Sequence, residues 1–442
     1  MIGIICKANE LFDLHLNMIN YSLERGYSYH RWQKIVNTML FKDPDNVKIH
    51  RTRVIHIYEV DYNMVLGLKW RMALYQAEAL KELNDGQYGS RPERNAIDSV
   101  MIEELQFEIS RLSRRMLIQT NYDATACYDR IIPNLAMLVS RKFGVPAQVT
   151  KTNASTFQQA RYHIRTDLGV SPDSYSHSDL MQIYGSGQGS GNSPMLWLFI
   201  CCLLFAMYHK LAKPAQYCNP DHTNEITLAI VGFVEDCNGQ VNCFDLPQNE
   251  ATLQQLMHHA TTNAKKWADL LSITGGALEL SKCSYHVVVW KFSLQGAPIL
   301  VNMKSELPTI SVNDPHTGQE QVLEYLHPYA AHKTLGHYKE PSGIQVEQFR
   351  RLKEKSNSIT EFLWKMPLTR SEAWTYYSAC YLPSVTYPLT ASALTTKQLT
   401  KIQTKAMSII VPRCGYNRHT HRAIIYGPQR LGGAGFRHLA IE

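Results

Sequence analysis

The sequence is short of the features that mark cross-linked, metal-stapled, secreted or membrane-spanning chains. Its ten cysteines include no CxxC pair and no Cys/His spacing of a zinc site, which excludes a zinc finger or knuckle. That usage points to reduced thiols and an intracellular protein, with Cys201-Cys202 as small core residues inside an apolar run. There is no internal repeat and no low-complexity tract. The opening Met1-Ile-Gly-Ile-Ile-Cys-Lys7 is too short an apolar stretch for a signal peptide. The apolar run Met195–Tyr208 has 14 residues, too few for an ordinary bilayer span and typical of a buried helix, so no membrane is expected as a partner. Ser193 and Pro194 before it suit the cap and first turn of that helix. The glycine-rich run Gly185–Gly191 lacks the Gly-Lys-Ser/Thr of a phosphate-binding P-loop.

What is present is an ordinary globular composition. The 442 residues are 45% hydrophobic and 19% charged, enough for two or three domains in one body. The net charge of +7 is a mild excess, compatible with a polyanionic partner. Its distribution says more: Lys397, Lys401, Lys405, Arg413, Arg418, Arg422, Arg430 and Arg437 stand against a single acid, Glu442, after residue 390. A solvated basic face and a phosphate-binding surface both fit, and the motifs below favour the second.

Periodicity places the elements. Ile97, Met101, Leu105, Ile109 and Leu112 predict an amphipathic helix over about 94–114. Residues 116–122 read as a strand with Asp123 at its end, and 226–234 as a second buried strand. Asn238-Gly239 is a tight-turn signal with 240–244 as the returning strand, which puts Glu235-Asp236 near a hairpin tip. Leu253 to Leu271 mark another amphipathic helix that Gly275-Gly276 ends, and 285–290 is β-branched and aromatic. Beyond about 340 the strand signals fade, and 346–364, 370–381 and 395–410 read as helices. The fold class expected is α+β with a helical appendage.

Three stretches carry chemistry. They are Asn121-Tyr-Asp-Ala-Thr-Ala-Cys-Tyr-Asp129, Gly187-Gln-Gly189 with Ser193-Pro194, and Phe233-Val-Glu-Asp236. An acid after an apolar run, a Gln-Gly turn and an acid pair after another apolar run is the order of a template-directed nucleic-acid polymerase palm. Nucleotidyl transfer uses two divalent ions, one at the attacking hydroxyl and one at the leaving pyrophosphate. Magnesium takes oxygen ligands, so Asp123, Glu235 and Asp236 are the candidate metal-binding and catalytic set, on strand ends that a sheet can fix.

Taken together these motifs resemble the reverse transcriptase domain of a retroelement, most like non-LTR (LINE-type) elements or group II introns, over about residues 45–345. The resemblance implies a right-hand polymerase: fingers over 1–115, a palm with an antiparallel sheet over 116–340, and a helical basic thumb over 341–442. It implies an RNA template, a DNA primer, deoxynucleoside triphosphates and two Mg2+ ions, with Mn2+ as a substitute. The family's Asp-x-x-x-Ala-Phe/Tyr-Asp reads Asp123-Ala-Thr-Ala-Cys-Tyr-Asp129 here, with Cys127 in the small-residue place. By resemblance Asp123 binds both metals, Tyr128 excludes a 2′-hydroxyl by bulk, and Asp129 is structural. Gln188 and Gly189 approach the incoming nucleotide and template. Gln87-Tyr-Gly-Ser-Arg-Pro-Glu-Arg94 is similar to a stretch whose arginine, here Arg91, reaches the triphosphate, with Arg53 as a second cation; Ser90 and Glu93 depart from the pattern. Gly275-Gly-Ala-Leu-Glu-Leu-Ser-Lys282 is similar to the motif whose lysine protonates pyrophosphate. Leu335 and Gly336, in Thr334-Leu-Gly336, resemble the turn of a primer-gripping hairpin. A core tyrosine at 128, a surface lysine at 282 and a surface arginine at 53 are the plainer alternatives.

The family reads Asp-Asp where this chain reads Glu235-Asp236. Glutamate keeps an anionic oxygen ligand but adds a methylene, and a displacement of about 1 Å can cost on the order of 10²-fold in rate. Weak or absent polymerase activity is therefore expected. The sequence shows no endonuclease, zinc knuckle or RNase H carboxylate set. This agrees with a fragment of a larger polyprotein or a decayed element. The alternative is a catalytically dead reverse transcriptase-like protein that only binds nucleic acid. A polymerase of ribonucleotides is disfavoured by Tyr128.

Overall fold

The computed structural model describes residues 9–42, 45, 48, 52–125, 127–178, 182–244, 246–303, 307–314 and 318–441. The opening apolar stretch with Cys6, and Ala126 of the first motif, lie outside them. In chain order the elements are α1 (Asn9–Arg25), β1 (Lys34–Phe41), β2 (Thr52–Ile57), α2 (Val60–Ala79), α3 (Ala96–Leu112), β3 (Leu117–Tyr122), α4 (Pro133–Lys142), α5 (Ala147–Gln158), β4 (Arg161–Thr166) and β5 (Gly169–Ser176). Next come α6 (Ser193–Leu211), β6 (Ala215–Cys218), β7 (Glu225–Leu228), β8 (Ile230–Phe233), β9 (Asp236–Asn242), α7 (Glu250–Ile273) and β10 (Ser284–Val288). After a run of short strands that includes β11 (Trp290–Phe292), the sheet elements end in a small hairpin, His332–Thr334 with His337–Lys339. The helices α8 (Val346–Lys365), α9 (Arg370–Tyr376) and α10 (Thr396–Arg413) follow.

Two sheets frame the molecule. One has the order β2-β1-β4-β5, so it joins strands from either side of residue 115. The other runs Glu324–Leu326, β10, β3, β9, β8, with β3 antiparallel to both neighbours. All six residues of β3 are buried, as a central strand covered on both faces requires. Its alternation is read by its contacts. Leu117, Gln119 and Asn121 face α3, where Phe107 and Glu103 meet them. Tyr122 faces α7, its ring 6.2 Å from that of Trp267. The helices therefore cover opposite faces of the sheet and fix its strand ends from both sides.

α6 lies in the main core, with Leu196, Phe199, Cys201, Cys202, Phe205 and Tyr208 buried. It is long and apolar enough to cross a membrane by length and composition, and 61% of its apolar window is buried within the protein. Asn192, not Ser193, is its N-cap position, and Pro194 sits in its first turn, where the missing N–H costs no helical bond. A second core joins the C-terminal helices through Leu352, Tyr377, Tyr381, Ile410 and Phe436. Capping boxes start α9 at Thr369/Glu372 and α10 at Thr395/Gln398.

Several sequence-level expectations change. The apolar run 226–234 is two strands in different sheets, broken at Ala229. The segment 285–290 divides at Val289 between β10 and β11. The helix expected over 370–381 is α9 followed by a π-type turn, Tyr377–Tyr381. Asn238-Gly239 is not a turn but the middle of β9, paired with β8 on one side and β3 on the other. Glycine is needed there for packing: a Cβ on Gly239 would stand 2.9 Å from the Tyr122 ring. The tight turn is two residues long, Val234-Glu235, closed by the Phe233–Asp236 pair.

Candidate active site

β3 delivers Asp123 to the rim of a cleft, and the β8–β9 turn delivers Glu235 and Asp236 beside it. Asp123, Glu235, Asp236, Lys282, Arg53, Tyr128, Gln188 and Gly189 all line this one cleft of about 550 Å³. The residues come from separate stretches, and the backbone explains how they meet. The loop before Lys282 is stitched to the first motif: Thr125 N–H donates to Ala277 O at 2.8 Å and Glu279 N–H to Asp123 O at 2.9 Å. That brings the Lys282 ammonium to 3.6 Å from Asp123 Oδ1.

The Gln-Gly loop is held from two directions. His56 N–H donates to Gln188 O at 2.7 Å, and Ser186 N–H to Tyr128 O at 2.8 Å. Gly189 has φ +110°, and a Cβ there would stand 2.4 Å from His56 O. Both conditions demand glycine. Tyr128 stands at the cleft wall with its ring centroid 6.3 Å from that of Trp197.

The hairpin tip is strained and clamped. Val234 has φ +59°, a conformation a β-branched residue rarely takes and one that glycine usually supplies in two-residue turns. The buried Gln87 side chain holds it there. Its Oε1 accepts from Val234 N–H at 3.2 Å and its Nε2 donates to Val234 O at 3.3 Å. Gly89 lets the loop come this close, because a Cβ would stand 2.4 Å from Val234 N.

The three acids are half-buried and repel one another. Burial, then Glu235 and Asp123, push Asp236 up to about 6. Burial raises Glu235, which the Arg53 guanidinium and the Cys127 thiol partly offset. Burial also raises Asp123, against the pull of Lys282. Among the described residues no three His, Cys, Asp or Glu side chains form a preassembled cation cage. The donor set is nevertheless all oxygen and mutually repelling, which suits a hard divalent cation that would draw the carboxylates in.

Two groups of the candidate residues lie outside this cleft. Arg91 does not line it. Its guanidinium is buried, donating to Glu78 Oε2 at 2.9 Å and to Asn84 O at 2.8 Å, so it fastens a loop to the end of α2 and its donors are used. Leu335 and Gly336 form the turn between His332–Thr334 and His337–Lys339, as expected, but they too lie outside the lining. Two residues of the site carry no sequence signal of their own: Lys42, a cleft cation just past β1, and Gln87, which clamps the hairpin tip from the stretch that also holds Arg91. Nothing local marks Lys42; β1 and β2 pair so that Leu40 stands opposite Arg53, and only that pairing brings the two cations together.

No family model matches the sequence, and no curated protein does. Among solved structures, telomerase from Candida tropicalis with the TWJ fragment of telomeric RNA is similar at TM-score 0.40 and 13% identity, covering 91% of this chain and 61% of that one. The corresponding Candida albicans structure gives TM-score 0.39 and 12% identity, with coverages of 87% and 60%. The chain thus spans about 60% of the telomerase chains it matches.

Proposed function

We propose that the chain is an RNA-directed DNA polymerase of the retroelement type, weakened at Glu235. Fingers over 1–115, a palm over 116–340 and a basic thumb over 341–442 would hold an RNA template and a DNA primer. The non-LTR or group II branch is the sequence resemblance's contribution. The observation that carries the reading is the convergence of Asp123, Glu235, Asp236, Lys282, Tyr128 and the Gln188-Gly189 turn on one cleft.

The residues divide the work as follows. Asp123, Glu235 and Asp236 would hold two Mg2+ ions, or Mn2+ in their place. Bound there, such ions would acidify the primer 3′-hydroxyl and neutralise the leaving pyrophosphate. The 3′-hydroxyl gives up its proton to solvent, and its oxygen forms a bond to the α-phosphorus as the bond from that phosphorus to pyrophosphate breaks. Lys282 donates a proton to the leaving oxygen, a contribution typically of about 10²–10⁴-fold. Arg53 and Lys42, the cations of the cleft wall, hold the triphosphate where Arg91 does not reach. Tyr128 rejects a 2′-hydroxyl by bulk, and Gln188 and Gly189 offer backbone to the nucleotide and template.

A second reading, a protein that binds nucleic acid without extending it, is favoured by the sequestered Arg91 and the lengthened Glu235. Primer extension on an RNA template with Mg2+ or Mn2+ separates the two. The polymerase reading expects deoxynucleotide incorporation, little ribonucleotide incorporation, and no product from Asp123→Ala. Product that survives Asp123→Ala would refute it.

A further inference from the structure

The hairpin His332–Lys339 reaches the sheet through one buried cation. Lys339 has no solvent exposure, and its ammonium donates to Asn121 Oδ1 at 2.9 Å, to Asn238 Oδ1 at 3.1 Å and to Glu103 Oε2. All three of its protons are used. Glu103 is equally engaged: Oε1 accepts from Asn238 Nδ2 at 2.6 Å, and Oε2 also takes the Gln119 amide at 3.5 Å. Asn121 in turn donates to Ser284 Oγ at 2.9 Å on β10. One ammonium therefore ties together α3, β3, β9 and the hairpin.

The positions matter more than the number of bonds. Asn238 follows Asp236 by two residues on β9 and shares its strand face, and Asn121 precedes Asp123, which follows the end of β3, by two. The hairpin is pinned at its other points as well. His337 Nε2 lies 3.1 Å from Glu104 Oε1, Tyr338 N–H donates to Gln348 Oε1 at 2.9 Å, and Tyr387 Oη donates to Leu335 O at 2.8 Å. Lys339 is the point at which this body meets both carboxylate-bearing strands.

We infer that Lys339 is a positioning residue: with Glu103, Asn121 and Asn238 it couples the 332–339 hairpin to the register of Asp123 and Asp236. Resting on the polymerase reading above and on the primer-gripping turn that Leu335 and Gly336 resemble, it sets the height of the primer end against the carboxylates. Because burying a charge pair adds little net stability, the role we assign to this one is to fix the arrangement.

The test uses the full chain and the double variant Lys339→Met/Glu103→Gln, which removes both charges and leaves neither alone in the interior. Hydrogen–deuterium exchange reads the coupling without any need for catalysis. The expected result is faster exchange in both the hairpin and residues 117–122, while thermal unfolding stays cooperative. In single-turnover extension the same variant is expected to lose about 10- to 100-fold in rate with little change in nucleotide KM. Faster exchange in the hairpin alone, with residues 117–122 unchanged, would overturn the coupling. A wild-type chain that shows the exchange coupling but extends no primer supports the coupling and counts against the polymerase reading instead.

Discussion

The two ends of the same pair of strands treat charge in opposite ways. At the cleft, Asp123, Glu235 and Asp236 crowd together, with Lys282 beside Asp123 and Arg53 near Glu235 in partial opposition. Two residues along each strand, Asn121 and Asn238 belong to a network in which Glu103 and Lys339 are fully paired and enclosed. The open end holds repulsion that a bound cation would relieve. The closed end holds the strands still so that the repulsion cannot simply push them apart.

That contrast breaks most readily at the closed end. Lys339→Met alone leaves Glu103 charged and unpaired in the interior, and a loss of about 3–5 kcal/mol in urea unfolding is expected. The exposed Lys282, 3.6 Å from Asp123, should cost less than about 1 kcal/mol when changed to methionine. Similar losses for the two would erase the distinction.

At the open end the sign reverses. Asp236 has its folded pKa raised to about 6, so the folded chain keeps a proton that the unfolded chain releases near pH 4. Stability therefore falls as pH rises from about 4 through about 6, and the deficit persists above that window. Asp236→Asn should stabilise the cation-free protein at neutral pH by on the order of 2 kcal/mol and flatten the decline, measured as urea midpoints across the window. The groups that face Asp236 in this balance are Glu235, Asp123 and Glu103 on one side and Lys339 on the other.

A packing effect tests the opposite face of the same strands. Gly239→Ala presses a methyl group against Tyr122 and should cost about 1–3 kcal/mol in thermal or urea unfolding. A neutral substitution would show that the ring moves freely and that the sheet face is not close-packed there.

Much of this was legible in the sequence for local reasons. α3, α7 and α8 follow from apolar residues at helical spacing, and β3 from a buried run that ends in an acid. The cleft acids were legible because Asp123 ends one apolar run and Glu235-Asp236 ends another. What escaped the sequence depends on partners far along the chain. Asn238-Gly239 carries the chemistry of a turn, yet its glycine answers to Tyr122 and its asparagine to Glu103 and Lys339. Arg91 sits in a stretch similar to the family's apart from Ser90 and Glu93, but Glu78 on the preceding helix claims its guanidinium. Lys339 looks like any lysine beside a turn until Glu103, 236 positions away, is placed against it.

The most direct measurement is primer extension by the natural chain beside Glu235→Asp and Asp123→Ala. The lengthened acid predicts that Glu235→Asp raises the rate, up to about 10²-fold, and that Asp123→Ala yields no product. A natural chain that already extends as fast as Glu235→Asp would contradict the claim that Glu235 is where this site departs from full activity.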